Sequence, residues 1–479
     1  MDFASTGVGS NSAHTEELNW TQPARTRTTS SIVFSCLFTI LACAWCCIRP
    51  NIPSPYDSKL RILATKLKIL FWILVSPELV ACWTFRQWFE AGKIAEDFKG
   101  KRRSTSLRIY LQLILPTVKG WTRKHALFLM MGGFVLTKDG LPMQAISIQL
   151  FKRLVYQGVV EFPTLTNGDI QERSKFHPIF AAIVFFQALW FAVQCLSRVA
   201  TGLLITQLEV ITLTLILSSA ITFAFIWQKP LDIRHPILIQ VPNEFDSNRL
   251  IYQPATQRVT KGDFDRERRM GRVVERIAFL EQPSQQDRPP ISHFFQRLLR
   301  ILVLWPVKAI FWDVCDLALG VDGLQANELK ANALRIPLFY LPDSGDAMLI
   351  ILPLTCVLGM GIGVVHCLFW SWGHFPSETE RLLWRINSVI VAGFYAVNFV
   401  ILVILGLSTF VSYRPQPRVI FDAVISAFVV FSVAFFCILL IPFVGARVVL
   451  LVESFWSLRS LPEEAFKVVE WSGYIPHFS

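Results

Sequence analysis

Long uninterrupted apolar runs set the limits on what this chain can fold into. They extend over about 17 to 25 residues, the length a helix needs to cross roughly 30 Å of hydrocarbon. A buried helix in a water-soluble domain rarely needs so much unbroken apolar length. A membrane β-barrel would instead show short alternating segments. Composition agrees, since 53% of the 479 residues are apolar and mean hydropathy is +0.46. Only 17% are charged, against about 25% in an average soluble chain. The fold expected is an all-α, polytopic transmembrane helical bundle of about 6–7 spans. Two long cytoplasmic loops would contain its interfacial or re-entrant segments.

The net charge of +11 suits this reading better than nucleic-acid binding. Lys and Arg gather between the apolar runs, where they set orientation and meet anionic headgroups. No zinc-finger spacing, RNA-binding aromatic signature or isolated basic domain accompanies them, so no nucleic-acid partner is expected. The partner expected is the lipid bilayer, together with a lipophilic small molecule if the protein is an enzyme. Seven of the ten cysteines (Cys36, Cys43, Cys82, Cys195, Cys356, Cys367 and Cys437) lie inside apolar runs, where Cys behaves as a small hydrophobe. The Cys43-Ala44-Trp45-Cys46 spacing has no second half-site and reads as packing. Cys46 and Cys47, beside Arg49, are candidates for reversible palmitoylation.

The organisation follows from the runs. A polar tail over 1–30 is read as disordered and holds the only glycosylation sequon, Asn19-Trp20-Thr21. A first membrane region over 31–227 has spans near 31–48, 69–85, 178–197 and 203–227, with a basic loop at 86–177. Pro77 and Glu78 interrupt the second run. Within the basic loop, apolar pieces at 107–116 and 125–137 are too short to span and read as re-entrant or interfacial. A polar loop region follows at 228–346, with an Asp/Arg-rich stretch at 263–276 and an interfacial pattern at 294–312. A second membrane region at 347–445 carries three spans, and a tail completes the sequence at 446–479. Both basic loops belong on the cytoplasmic face, because a two-span hairpin separates them. If all seven runs cross, the start of the chain is also cytoplasmic. If the second run is re-entrant, Asn19 is lumenal.

Ionisable groups within spans cost roughly 2.5–3.5 kcal/mol on insertion scales, so each needs a reason. On the third span Gln187, Trp190, Gln194 and Arg198 fall on one helical face. On the fourth, Thr206, Glu209 and Thr212 recur every three residues. Joined by a tight turn, the two stripes should face each other. They form either a structural lock with Arg198 paired to Glu209, or a polar pocket. Glu78 follows a proline that frees a backbone carbonyl, and it serves either a proton or cation path or a nearby headgroup. Near the end of the fifth span, His366 stands among Trp anchors without metal-ligand spacing, and it joins Gln187, Trp190, Gln194 and Arg198 as a candidate for lining a substrate pocket. Gly359-x-x-x-Gly363 reads as close helix packing. Phosphate-binding, dinucleotide-binding and nucleophile-elbow motifs are missing. The sequence implies neither a metal nor a cofactor.

Taken together, several stretches resemble a large fungal family of polytopic membrane proteins. These include Arg49-Pro50-Asn51-Ile52-Pro53, Pro77-Glu78-Leu79, Arg86-Gln87-Trp88 and Trp121-Thr122-Arg123-Lys124-His125. Others are Met131-Gly132-Gly133-Phe134, Trp227-Gln228-Lys229-Pro230-Leu231-Asp232, His366-Cys367 and Leu383-Trp384-Arg385. The resemblance covers almost the whole chain and departs at Arg49, where His is expected. It implies the topology and a fungal origin, and it transfers no activity. Three function classes stay open. The first is a membrane-embedded enzyme acting on an isoprenoid-like substrate, such as a terpene cyclase with Glu78 or Glu209 as its acid. The others are a small-molecule or ion transporter, and a membrane sensor or scaffold.

Overall fold

A computed structural model describes residues 26–98, 121–175, 178–241, 313–314, 333–341, 345–411 and 419–469. In chain order the first helices are α1 (Thr29–Cys47), α2 (Lys59–Val75), α3 (Pro77–Phe98), α4 (Arg123–Met130), α5 (Ile148–Tyr156) and α6 (Asn167–Arg173). They are followed by α7 (Pro178–Ala200), α8 (Gln207–Ile226), α9 (Gly345–Leu368), α10 (Glu378–Val411) and α11 (Val419–Trp456). Three strands, β1 (Phe134–Lys138), β2 (Leu141–Ala145) and β3 (Ile237–Gln240), make one small sheet. Helices α1, α7, α8, α9, α10 and α11 are each long and apolar enough to cross a membrane. The protein is a polytopic, predominantly α-helical integral membrane protein.

The helices show why lipid is their solvent. On α1, Ile32, Cys36, Ile40, Cys43 and Cys47 are buried, while Phe34, Phe38, Leu41 and Trp45 are exposed. Each set recurs every three or four residues, so one helix carries two apolar faces, one for the bundle and one for hydrocarbon. The Cys43–Cys46 spacing is thereby accounted for by packing. Thr28 caps the helix by accepting from the Ser31 N–H at 3.2 Å.

The second apolar run breaks at Ser76. Helix α2 begins within the basic 49–68 stretch, and α3 runs well past residue 85. The two axes bend by 117° at the break. Proline is favoured at the first position of a helix, where its missing N–H costs no hydrogen bond, so Pro77 starts α3 rather than continuing α2. The two ends of the chain indicate how this pair sits. Thr26 bridges Lys467, and the Arg27 N–H donates to the Phe466 carbonyl at 2.8 Å. The segments before α1 and after α11 therefore lie on one face. That arrangement fits an even number of crossings, which the six long helices among the described residues provide when α2 and α3 enter and leave on the same side.

Residues 121–175, expected as part of a loop, form a folded lobe with the end of α3. Its core joins Phe98, Trp121, Phe128, Phe134, Phe151 and Leu154. The 125–137 stretch covers most of α4 and the start of β1. Its aromatic side chains pack inside this lobe, and Phe134 opens β1. Strand β1 pairs antiparallel with β2 and parallel with β3, Phe134 standing opposite Ile237. The two long connections thus meet in one sheet on the same face, as the charge pattern anticipates. The pieces at 107–116, 263–276 and 294–312, and Asn19, lie outside the described residues.

In the bundle, α1 packs against both α7 and α8, which scarcely touch each other. The expected face-to-face hairpin of polar stripes is therefore not formed. Gly359 and Gly363 do mediate close packing, because a Cβ on Gly363 would approach the Ala392 backbone of α10 to 2.7 Å.

Candidate functional site

The arms of the α2–α3 pair bring Glu78 to the centre of the bundle. Lys66 on α2 pairs with Asp232 at 2.8 Å, and Lys229 donates to Gln87 on α3 at 3.1 Å. Both arms therefore pass the level just beyond the end of α8. From there the turn lies ten residues along α2 and nine along α3, about 13–15 Å of helix. On the opposite side, Arg447 stands nine residues before the end of α11, again about 13 Å. Glu78 is thus near the middle of a hydrocarbon layer roughly 30 Å thick.

Glu78 is completely buried. Its Oε1 accepts from Ser76 Oγ at 2.8 Å and from Arg447 at 2.8 Å. The Tyr395 hydroxyl donates to the same oxygen. Oε2 has no hydrogen-bond partner among the described residues. Four elements therefore contribute, with Ser76 at the break, Glu78 on α3, Tyr395 on α10 and Arg447 on α11. As the second residue of α3, Glu78 also sits at the positive end of that helix dipole. Beside the cluster is a cavity of about 20 Å³, lined by Pro77, Thr214, His366, Arg447 and Leu450. That is room for about one water molecule. Nδ1 of His366 is buried and unpartnered among the described residues.

Glu209 has a different setting. Its Oε2 accepts from the Thr206 N–H at 2.8 Å, and the Thr206 hydroxyl accepts from the Glu209 N–H at 3.3 Å. This reciprocal pair is a capping box. The predicted ion pair between Arg198 and Glu209 is not made. Arg27 holds the Glu209 carboxylate through both terminal nitrogens. Arg198 instead donates to the carbonyls of Leu204 (2.7 Å), Lys467 (2.5 Å) and Ala465 (3.2 Å). A cavity of about 240 Å³ beside this clasp is lined by Arg27, Phe191, Gln194, Arg198 and Glu209. Gln187 donates to Thr39 of α1 at 3.3 Å, a bond across helices but away from the cavity. Trp190 is 49% exposed and faces outward, so it lines no pocket here.

Three of the sequence stretches quoted above converge below the bundle. Lys229 is buried, with Nζ donating to Asn51 at 3.3 Å and to Gln87 at 3.1 Å, 4.8 Å from the centre of the Trp83 ring. Burial, reinforced by Arg49, lowers its pKa to about 7. Arg49 donates to the Trp227 carbonyl at 3.3 Å and to that of Lys229. Sequence reasoning missed Arg27, Tyr395 and Arg447, and it named Lys229 only as part of a family stretch. Thr206-x-x-Glu209 carried a readable capping signal. Arg447 is a lone cation in a long apolar run, and an intramembrane cation calls for an intramembrane anion. Among the described residues, no group of His, Cys, Asp and Glu side chains could hold a metal ion.

The fold and this site define a helical integral membrane protein with a charged cluster at mid-membrane. The chain belongs to a family of unknown function (DUF8562), whose model matches residues 3–251 and 348–478. No curated protein and no solved structure matches it.

Proposed function

We propose that this chain is a transport protein in which the Glu78–Arg447 pair is the exchangeable charge of the translocation step. The observation that carries the reading is a carboxylate at mid-membrane, on a broken helix, held by side chains from two crossing helices. A structural salt bridge has no need of a helix break. Transporters place binding groups at such discontinuities, where helix ends and freed backbone groups are available. Protonation of Glu78 removes the attraction to Arg447 and frees α11 to shift relative to the hairpin.

The same geometry weakens the case for a cyclase. An acid that initiates cyclisation must deliver its proton to an olefin, whereas Arg447 occupies Glu78, Arg27 occupies Glu209, and the cavity beside Glu78 has room for about one water. The cavity beside Glu209 supports a second reading, an enzyme or receptor for a small amphiphile. At about 240 Å³ it falls below the range of about 300–1,000 Å³ usual for ligand sites.

The test is reconstitution in liposomes containing a pH-sensitive dye, with an imposed proton gradient. Transport predicts gradient dissipation, or solute uptake driven by it, that is lost in Glu78→Gln. Isomeric lipid products from prenylated phenols, with no flux, would move the reading to the enzyme.

A further inference from the structure

A hydrated region in a membrane protein can be recognised by polar atoms that are buried yet left without protein partners. In an apolar interior each such atom costs several kcal/mol unless water or an ion meets it. Here they occur on α9, α10 and α11 and at the start of α3. Both carboxylate oxygens of Glu453 are buried and unpartnered among the described residues, as are Oε2 of Glu380, Nδ1 of His366 and Oε2 of Glu78.

These atoms follow one direction. Glu380 lies in the first turn of α10 and Glu453 in the last turn of α11, so both are at the face that carries Lys467. Arg459 donates to Glu380 on that face. Glu453 is close enough to Glu380 to feel its charge. One turn inward from Glu380, Trp384 donates to the His366 carbonyl at 3.1 Å, and the two rings lie 5.7 Å apart. His366 and Arg447 line the water-sized cavity, and Arg447 holds Glu78. The carboxyl pair is at the surface end, the imidazole below it, and the cavity and Glu78 below that.

We propose that Glu453, His366 and the cavity form a proton half-channel from the Lys467 face to Glu78, which makes the proton the ion handled at that site. The inference rests on the transport reading for its purpose but not for its test. A proton from water adds to the Glu453 carboxylate. It then passes to one ring nitrogen of His366 while the other ring nitrogen releases its proton to the cavity water. That water delivers a proton to Glu78. Each step breaks one O–H or N–H bond and forms another, with no redox change. Arg459 on Glu380 restrains one carboxylate as a partner for the cation, leaving Glu453 as the acceptor.

Thiol accessibility provides the test. In proteoliposomes, Glu453→Cys and His366→Cys should react with a small membrane-impermeant thiol reagent at least about tenfold faster than Val452→Cys. Val452 is on the same helix and exposed toward lipid, and the native cysteines are subtracted as the parent rate. A variant that fails to fold is replaced by radiolytic footprinting of the unmodified protein, in which hydroxyl radicals oxidise buried His366 only if water adjoins it. Labelling no faster than at Val452, or an unoxidised His366, overturns the half-channel whatever the transport assays give. Fast labelling without proton flux in the parent protein leaves the water path standing and removes the transport reading. With flux present, Glu453→Gln should slow proton entry from that face about tenfold, and Glu453→Asp should restore most of it. An unchanged rate overturns the relay through Glu453.

Discussion

Gly359 lies against the ring of Tyr395, and that contact aims the phenol at Glu78. All three atoms that a Cβ at Gly359 would meet belong to the tyrosine ring. Gly359→Ala should therefore push Tyr395 aside, and Gly359→Val more so, at about 1–3 kcal/mol for overpacking. The expected outcome is a lowered melting temperature in detergent, together with reduced flux because the Tyr395 hydroxyl no longer reaches Glu78. A Gly359→Val protein with normal flux would separate the ring's position from the function of Glu78.

The Glu78–Arg447 pair should behave as a buried ion pair. Glu78→Gln or Arg447→Met alone leaves one charge stranded in hydrocarbon, costing about 3–5 kcal/mol. The double variant removes both charges and should regain most of that stability while remaining inactive in transport. Thermal unfolding of the three proteins, followed by size-exclusion fluorescence, measures the difference. A double variant no more stable than either single one would show that the pair does not act as a unit.

The Arg27–Glu209 clasp ties the start of α1 to the start of α8, and on the transport reading it serves the fold. Glu209→Gln and Arg27→Met should each lower protein abundance by loosening the fold, at about 1–3 kcal/mol. Normal abundance with selective loss of an enzymatic product would instead make the neighbouring cavity a reaction site.

Lys229 should make stability depend on pH in a fixed direction. The unfolded amine holds its proton to about 10.5, the folded one to about 7. Between those values the unfolded state binds more protons, so stability rises as pH increases through the window. Melting temperatures at pH 7 and pH 9 should differ in that sense, and Lys229→Met should flatten the slope. A fall in melting temperature over this range, removed by Lys229→Met, would reverse the assignment.

Topology is open to direct measurement. With α2 and α3 turning back, a thiol at Thr28 and one at Asp139 in the β1–β2 turn lie on opposite faces. If that pair crosses, they lie on the same face. Impermeant labelling from each side distinguishes the two. The positive-inside rule predicts the cytoplasm for the lobe, which carries the basic connections. Asn19 is then lumenal, and Asn19→Gln should remove a glycan shift on gels.

The parts of this fold that obey a single period were legible in the sequence. Apolar length alone locates the six described helices long enough to cross, because hydrocarbon thickness fixes it. The Gly359–Gly363 spacing correctly implies a close contact. The lobe was hidden for the opposite reason, since β1 and β3 are separated by a membrane hairpin and no local pattern joins them. Pairing was the weakest inference. Arg198 is eleven residues from Glu209 and is its natural partner by sequence, yet Arg27 takes that role because α1 lies between α7 and α8. Periodicity reports which face of a helix is polar, and only packing determines what that face meets.

The parallel pairing of β1 with β3 also has a consequence in time. β1 ends at Lys138 and β3 begins at Ile237, and α7 and α8 must be inserted between them. During synthesis the lobe therefore waits with an open sheet edge for about 5 to 20 s. Its closure requires both ends of the intervening hairpin to stand on the same side. A ribosome-bound chain stalled before residue 237 would carry an unfinished lobe, the state most in need of a chaperone.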